Sequence, residues 1–176
     1  MTNAVLVDDA VTVALDASRS GAVAVASSVT SAADPLVATI ISRYQTLLQG
    51  KASATRFRGI PSVRAGGHSS SPLPVLKHVS VAVTGGDEAA LALGPDTDET
   101  YTVEVKLSAS SAVASVEAKT AFGLRHGLET LAQLVSTPSG TIAGVNRTTP
   151  LKITDGPAWP YRGLMIDTGA LTVLNI

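Results

Sequence analysis

The sequence contains no cysteine. Disulfides, thiol nucleophiles, Cys-ligated zinc and iron–sulfur clusters are thereby excluded. Aromatic residues make up only 3% of the 176, so a core must be filled by Val, Ala, Leu and Ile. Charge is scarce as well: 13 Lys and Arg stand against 14 Asp and Glu, for a net charge of −1. Basic residues spread this thinly leave no electrostatic footprint for nucleic acid. No run approaches the ~18 consecutive apolar residues of a membrane-spanning helix. The opening residues Met1 to Asp9 lack a basic stretch, and their apolar run stops at Asp8 and Asp9. That makes a poor secretory leader, and the compartment stays unknown from the sequence. What the chain does have is 45% apolar residues. A globular chain of this size buries roughly 70% of its unfolded surface, enough for one cored domain, or one domain plus a fragment of another.

Hydrophobic periodicity outlines the elements. Val11 to Leu15 alternates as a short strand, and Ala22 to Val29 is a weaker strand candidate. Asp34 to Gly50 reads as a helix, with Asp34 as N-cap, Pro35 in the first turn and Gly50 as a left-handed C-terminal cap. Its apolar stripe combines Leu36, Ile40, Tyr44 and Leu47 with Val37, Ile41 and Leu48. Lys51 to Pro74 reads as a solvated loop, although Arg56, Arg58 and Arg64 offer the makings of a small anion site. Val75 to Thr84 alternates, with Val79, Val81 and Val83 on one face. A Gly85-Gly86 break follows, then a return strand over Ala90 to Leu93 and a turn over Gly94 to Asp98. Tyr101, Val103, Val105 and Leu107 define another strand, and Ala112 to Val116 a further one.

Ala118 to Val135 is predicted helical, burying Ala118, Ala121, Phe122, Leu128, Leu131, Leu134 and Val135. Gly123 and Gly127 each cost about 1 kcal/mol against Ala inside a helix, so close packing on a sheet is their reason. Short strands are expected around Ile142 and over Leu151 to Ile153. A last strand is expected within Tyr161 to Thr168, where the continuous run Leu164-Met165-Ile166 suits burial on both faces. The sum is an α+β fold: a mostly antiparallel sheet with two long helices packed on it.

The remaining chemical candidates are weak. His68, His78 and His126 are scattered without ligand spacing, so no metal site is assigned. Ser69, Ser70 and Ser71 lack a nucleophile elbow. Asn146-Arg147-Thr148 is an acceptor sequon for N-glycosylation. No cofactor is implied.

Two stretches carry a family resemblance. The first is Asp98-Glu99-Thr100-Tyr101-Thr102-Val103 followed by the helix Thr120 to Val135, with Gly123 and Gly127-Leu128-Glu129-Thr130-Leu131-Ala132-Gln133-Leu134. The second is Asp155-Gly156-Pro157-Ala158-Trp159-Pro160-Tyr161-Arg162-Gly163-Leu164-Met165-Ile166-Asp167-Thr168. The pair resembles the N-terminal domain of the family 20 glycoside hydrolases, the β-N-acetylhexosaminidases. Its patterns are "D-E-S-Y-x-L", "G-x-x-x-G-L-E-T-x-x-Q-L" and "P-x-R-G-x-x-x-D-T", the last leading into the first strand of a catalytic barrel. The resemblance implies residues 1–157 as an accessory domain and 158–176 as the first strand of a truncated (β/α)8 barrel plus a divergent tail. It further implies hydrolysis of terminal N-acetylhexosamine from glycans or chitin oligomers by substrate-assisted retention, outside the usual two-carboxylate scheme.

In that family a glutamate and a neighbouring aspartate in an H-x-G-G-D-E motif perform the chemistry. A (β/α)8 barrel takes roughly 250 residues, and only residues 158–176 of this sequence follow Pro157. No catalytic or substrate-binding residue is therefore assigned. Arg162, Gly163 and Asp167 match the family motif as framework, whereas Ala170 stands where the family has a sugar-gripping arginine. Gly85-Gly86-Asp87-Glu88 reproduces G-G-D-E, but it precedes the barrel and Val83-Thr84 come before it. A Gly-Gly hairpin turn with solvated acids explains it. The expectations are a hexosaminidase fragment inactive alone or, as the alternative, a non-catalytic module that packs on or regulates a full-length glycosidase. Trp159 is expected at the domain interface.

Overall fold

The computed structural model describes residues 3–15, 34–57, 74–85, 93–107, 111–136, 141–145 and 147–165. Among these, β1 (Asn3–Leu15), α1 (Asp34–Phe57), β2 (Val75–Val83), β3 (Tyr101–Leu107), β4 (Ser111–Ala118), α2 (Ala121–Leu134), β5 (Val135–Ser136), β6 (Thr141–Val145) and β7 (Leu151–Asp155) follow in chain order. The seven strands form one sheet in the order β5-β6-β1-β2-β4-β3-β7. Four pairings are antiparallel, and two parallel ones, β1–β2 and β2–β4, sit at the centre. Parallel neighbours need a long crossover, and α1 lies in the one between β1 and β2. The fold is α+β.

Alternation decides which sheet face is covered. Val5, Val7, Val11 and Val13 of β1, Val79, Val81 and Val83 of β2, Val103 and Val105 of β3, and Ala112, Ala114, Val116 and Ala118 of β4 are buried. They join one core with Val37, Ile40, Tyr44 and Leu48 of α1 and Leu124, Leu128 and Leu131 of α2. The opposite face is polar, as a half-solvated sheet allows. There Thr12 bonds the His78 Nδ1 atom at 3.0 Å and Thr102 meets Thr154 at 3.1 Å. His78, a residue without ligand spacing in the sequence, thus serves a cross-strand contact. No helix among the described residues is long and apolar enough to cross a membrane.

Several boundaries differ from the sequence reading, each for a physical reason. The first strand starts at Asn3 rather than Val11. Asp8 and Asp9 interrupt the apolar run, yet Val5, Val7, Val11 and Val13 keep a period of two across them. The first helix does not end at Gly50 but runs to Phe57. Gly50 adopts no positive φ; Gly144, at +82°, is the described glycine that does. Continuation past Gly50 carries Lys51 to the end of α2, where its Nζ donates to the Ala132 carbonyl at 2.7 Å. Leu36 and Leu47 are exposed, not part of the stripe. Each lies ~100° around the helix from a buried neighbour, Val37 or Leu48.

The second helix starts at Ala121, with Ala118 in β4 and Val135 in β5. Phe122 and Leu134 are half-buried, while Leu124 is fully buried. Thr120 caps α2: its Oγ1 accepts from the Gly123 N–H at 3.1 Å and donates to the Asp98 carbonyl at 2.7 Å. Thr120→Ala is expected to lower stability by about 1 kcal/mol, the usual worth of an N-cap, read as a lower urea midpoint with unchanged slope.

The turn at Gly94–Thr97 is present: the Thr97 N–H donates to the Gly94 carbonyl at 3.1 Å, and the Gly94 N–H to Thr97 Oγ1 at 2.8 Å. Residues 161–165 form no strand, and Leu164 and Met165 are 85% and 87% exposed. A strand needs a ladder partner, and β7 ends at Asp155, level with the first residue of β3. The candidate strand at 22–29, and residues 90–92 of the expected return strand, lie outside the described residues.

A feature absent from the sequence reading covers an open edge. β6 pairs with β1 only over Asn3 to Leu6. Further along, the Val13 N–H donates to Gln45 Oε1 at 3.1 Å, and Gln49 Nε2 donates to the Val11 carbonyl at 3.0 Å. Two glutamines one helical turn apart on α1 replace the missing strand and satisfy backbone groups that would otherwise be unpaired.

Candidate functional site

Among the described residues Glu99 is the one buried charged side chain, 8% exposed. Its position is set by the residues around it. Asp98 accepts from the Thr100 N–H at 3.0 Å and from the Thr100 hydroxyl, and its other oxygen pairs with Lys119 Nζ at 2.9 Å. These bonds hold the Asp98 carboxyl down to about 2, the Thr100 hydroxyl contributing most. With Asp98 turned to Lys119, the chain presents Glu99 to the start of α2. Gly123 permits that approach: a Cβ there would lie 2.6 Å from the Thr100 carbonyl oxygen and 3.1 Å from the Glu99 carbonyl carbon. His126, three residues further along α2, then faces Glu99, with its Nε2 2.9 Å from Oε1.

The third partner comes from beyond β7. The chain leaves at Gly156, whose N–H donates to Asp155 Oδ1 at 2.8 Å. Gly156 passes so close to Thr100 that a Cβ would lie 3.0 Å from its Cγ2. Arg162 then returns to Glu99. Its Nη2 donates to both carboxylate oxygens at 2.8 and 2.7 Å, and its Nη1 donates to the Trp159 carbonyl. Burial pushes the Glu99 carboxyl up, but the hydrogen bonds and charges of Arg162 and His126 outweigh it and hold the group below its ordinary range. The exit segment so anchored carries large apolar side chains in the open: Trp159 at 74% and Tyr161 at 87% exposed join Leu164 and Met165.

A second polar cluster ties the helices together. Tyr44 donates to Glu129 Oε2 at 2.9 Å, and Gln133 Nε2 donates to Oε1 at 3.0 Å. Burial and the Glu129 bond push the Tyr44 phenol up to about 12, so it stays a donor throughout the physiological range. This arrangement fixes helix spacing and offers no reactive atom.

Of the residues singled out in the sequence, Arg162 acquires a defined partner and Gly163 follows it in the exit segment. Asp167, Ala170, Asn146, Asp87, Glu88, His68 and Ser69 to Ser71 lie outside the described residues. So does Gly86 of the expected Gly-Gly turn. Gly85 continues the pairing along β4, its N–H donating to the Lys119 carbonyl at 2.9 Å. Arg56 belongs to α1, not to a loop. No group of three or more His, Asp or Glu side chains among the described residues is arranged to hold a metal ion. The roles of Glu99 and His126 were not legible beforehand. Both stand inside the quoted motif stretch, but nothing in their spacing joins them to Arg162, 63 residues after Glu99.

Residues 5–134 match a protein-family model described as "beta-acetyl hexosaminidase like". The chain is 34% identical over 124 residues to the chitooligosaccharidolytic beta-N-acetylglucosaminidase of Ostrinia furnacalis, covering 67% of this chain and 20% of that protein. It is 34% identical over 129 residues to beta-hexosaminidase 1 of Arabidopsis thaliana, covering 67% of this chain and 24% of that one. The X-ray structure of Flavobacterium johnsoniae chitobiase is similar over 94% of this chain and 21% of its own, with 20% identity and a TM-score of 0.49. The matched stretch thus spans about a fifth to a quarter of the length of these two curated relatives.

Proposed function

The chain belongs to the family 20 β-N-acetylhexosaminidases, matching their N-terminal domain, and on that premise we propose that it is the accessory part of such an enzyme, without hydrolase activity of its own. Residues 1–157 are the accessory domain, and 158–176 begin the catalytic domain. The complete enzyme removes terminal N-acetylhexosamine from glycans or chitin oligomers, the substrate's acetamido group assisting. The observation that carries this reading is the anchored exit segment. A buried carboxylate holds Arg162 of the family motif, and Trp159, Tyr161, Leu164 and Met165 stand exposed around it. Large apolar side chains on an anchored segment suit packing against a further domain.

Hydrolysis of a glycoside needs a proton donor placed at the leaving oxygen and a group that orients the nucleophile. Glu99 does not qualify, because both its oxygens are occupied by Arg162. The chain incubated with a chromogenic N-acetylglucosaminide is expected to give no turnover above background. Turnover that disappears on Asp87→Asn or Glu88→Gln overturns the proposal.

The same exposed segment favours a second reading, a module that docks on a separately encoded glycosidase. Co-elution with a family 20 barrel supplied in trans, lost on Trp159→Ser with Tyr161→Ser, supports that reading. Failure of the two to co-elute rejects it.

A further inference from the structure

Glu99 is met from two directions: by the Arg162 guanidinium of the exit segment and by the His126 imidazole of α2. Its own neighbour Asp98 is turned away to Lys119. An ionised carboxylate only accepts, so His126 must present an N–H at Nε2. His126 touches neither the exit segment's backbone nor Arg162 among the hydrogen bonds described; its polar contact is Glu99 Oε1 at 2.9 Å. That oxygen is also one of the two that Arg162 grips.

We propose that Glu99, His126 and Arg162 form a proton-sensitive latch on the exit segment, in which His126 is a positioning residue that holds the Glu99 carboxylate aimed at Arg162. Closed, the latch fixes the direction in which the chain leaves the sheet. Protonation of Glu99 removes the charge that holds Arg162 and frees the segment from Trp159 onward. The proposal stands whether or not a glycosidase domain follows, because all three groups lie within the domain and its exit.

The direction of the pH effect follows from the partners. Arg162 and His126 hold the Glu99 carboxyl below its ordinary value of 4.5. The stabilisation is present above the ordinary value and disappears as the pH falls through the lowered one. The latch therefore stays closed at neutral and mildly acidic pH and opens only in stronger acid. Removing His126 brings the opening point closer to neutrality.

The chain contains a single tryptophan, and its carbonyl accepts from Arg162. Trp159 fluorescence anisotropy thus reads the latch directly, with far-UV circular dichroism following the fold in parallel. The wild-type chain is expected to lose anisotropy below pH 4.5 before its circular dichroism changes. In His126→Ala that loss is expected at higher pH than in the wild type, because one hydrogen bond to the charged form of Glu99 is gone, with His126→Gln restoring part of the shift. Arg162→Gln lies on the exposed exit segment and tests the latch without touching the core: low anisotropy at every pH with unchanged circular dichroism is the expected result. Wild-type anisotropy in Arg162→Gln overturns the latch. A His126→Ala titration that superposes on the wild type overturns the role of His126.

Discussion

Leu124→Ala is expected to lower stability by about 2–5 kcal/mol, the range for a leucine deleted from a packed core. Leu124 has no exposed surface and shares its environment with Leu128, Leu131 and the valines of β2 and β3. The cavity cannot be filled cheaply, because β-branched neighbours on a sheet have few rotamers to move into. Phe122, two positions earlier, is the larger side chain and yet half-buried. Phe122→Ala is therefore expected to cost less than half as much. Urea unfolding of both variants decides the matter. A larger loss for Phe122→Ala would mean that α2 is rotated about its axis from the orientation described here.

Gly127→Ala is expected to be destabilising even though alanine is the better helix former. A methyl at Gly127 would lie 2.5 Å from Val116 Cγ1 and 3.2 Å from Tyr101 Cδ2. Helix propensity favours the change by about 1 kcal/mol, whereas forcing an extra carbon into a packed core costs about 1–3 kcal/mol. The contact distance puts the cost near the top of that range, since Val116 is held in β4 between two neighbouring strands. A net loss of about 1–2 kcal/mol follows, or roughly 2–8 °C in Tm for a chain of this size. Gly50→Ala is the control. Nothing lies within 4 Å of a Cβ there, so the same substitution is expected to stabilise by about 0.5–1 kcal/mol. Equal signs for the two glycines would refute the close approach of α2 to the sheet.

Much of the architecture was legible because periodicity encodes burial. Val79, Val81 and Val83, or Tyr101, Val103 and Val105, alternate because one sheet face is covered by helices, and that pattern survives into the structure. Gly123 and Gly127 announced close packing for the same reason: two costly residues inside a helix imply a neighbour that tolerates no side chain. The misread positions share a different cause. Gly50 carries the residue type of a helix end, yet nothing local reports that Lys51 finds the Ala132 carbonyl. The continuous apolar run Leu164-Met165 suits a strand buried on both faces, but pairing depends on a ladder partner that the run itself does not supply.

The candidate site divides along the same line. Arg162 was marked by a short contiguous motif, since a motif is a local string and a sequence displays it whole. Glu99 and His126 were part of such strings but carried no sign of a shared purpose. The residues by themselves determined the α+β class, the family, the valine-rich core and the glycine seam of α2, because each depends on neighbours a few positions apart. Only the tertiary structure decided that a buried carboxylate before β3, an imidazole on α2 and a guanidinium beyond β7 meet within hydrogen-bond distance. Charge recognition acts through space, and the packing of helix on sheet is what brings distant stretches of chain to the same few ångströms.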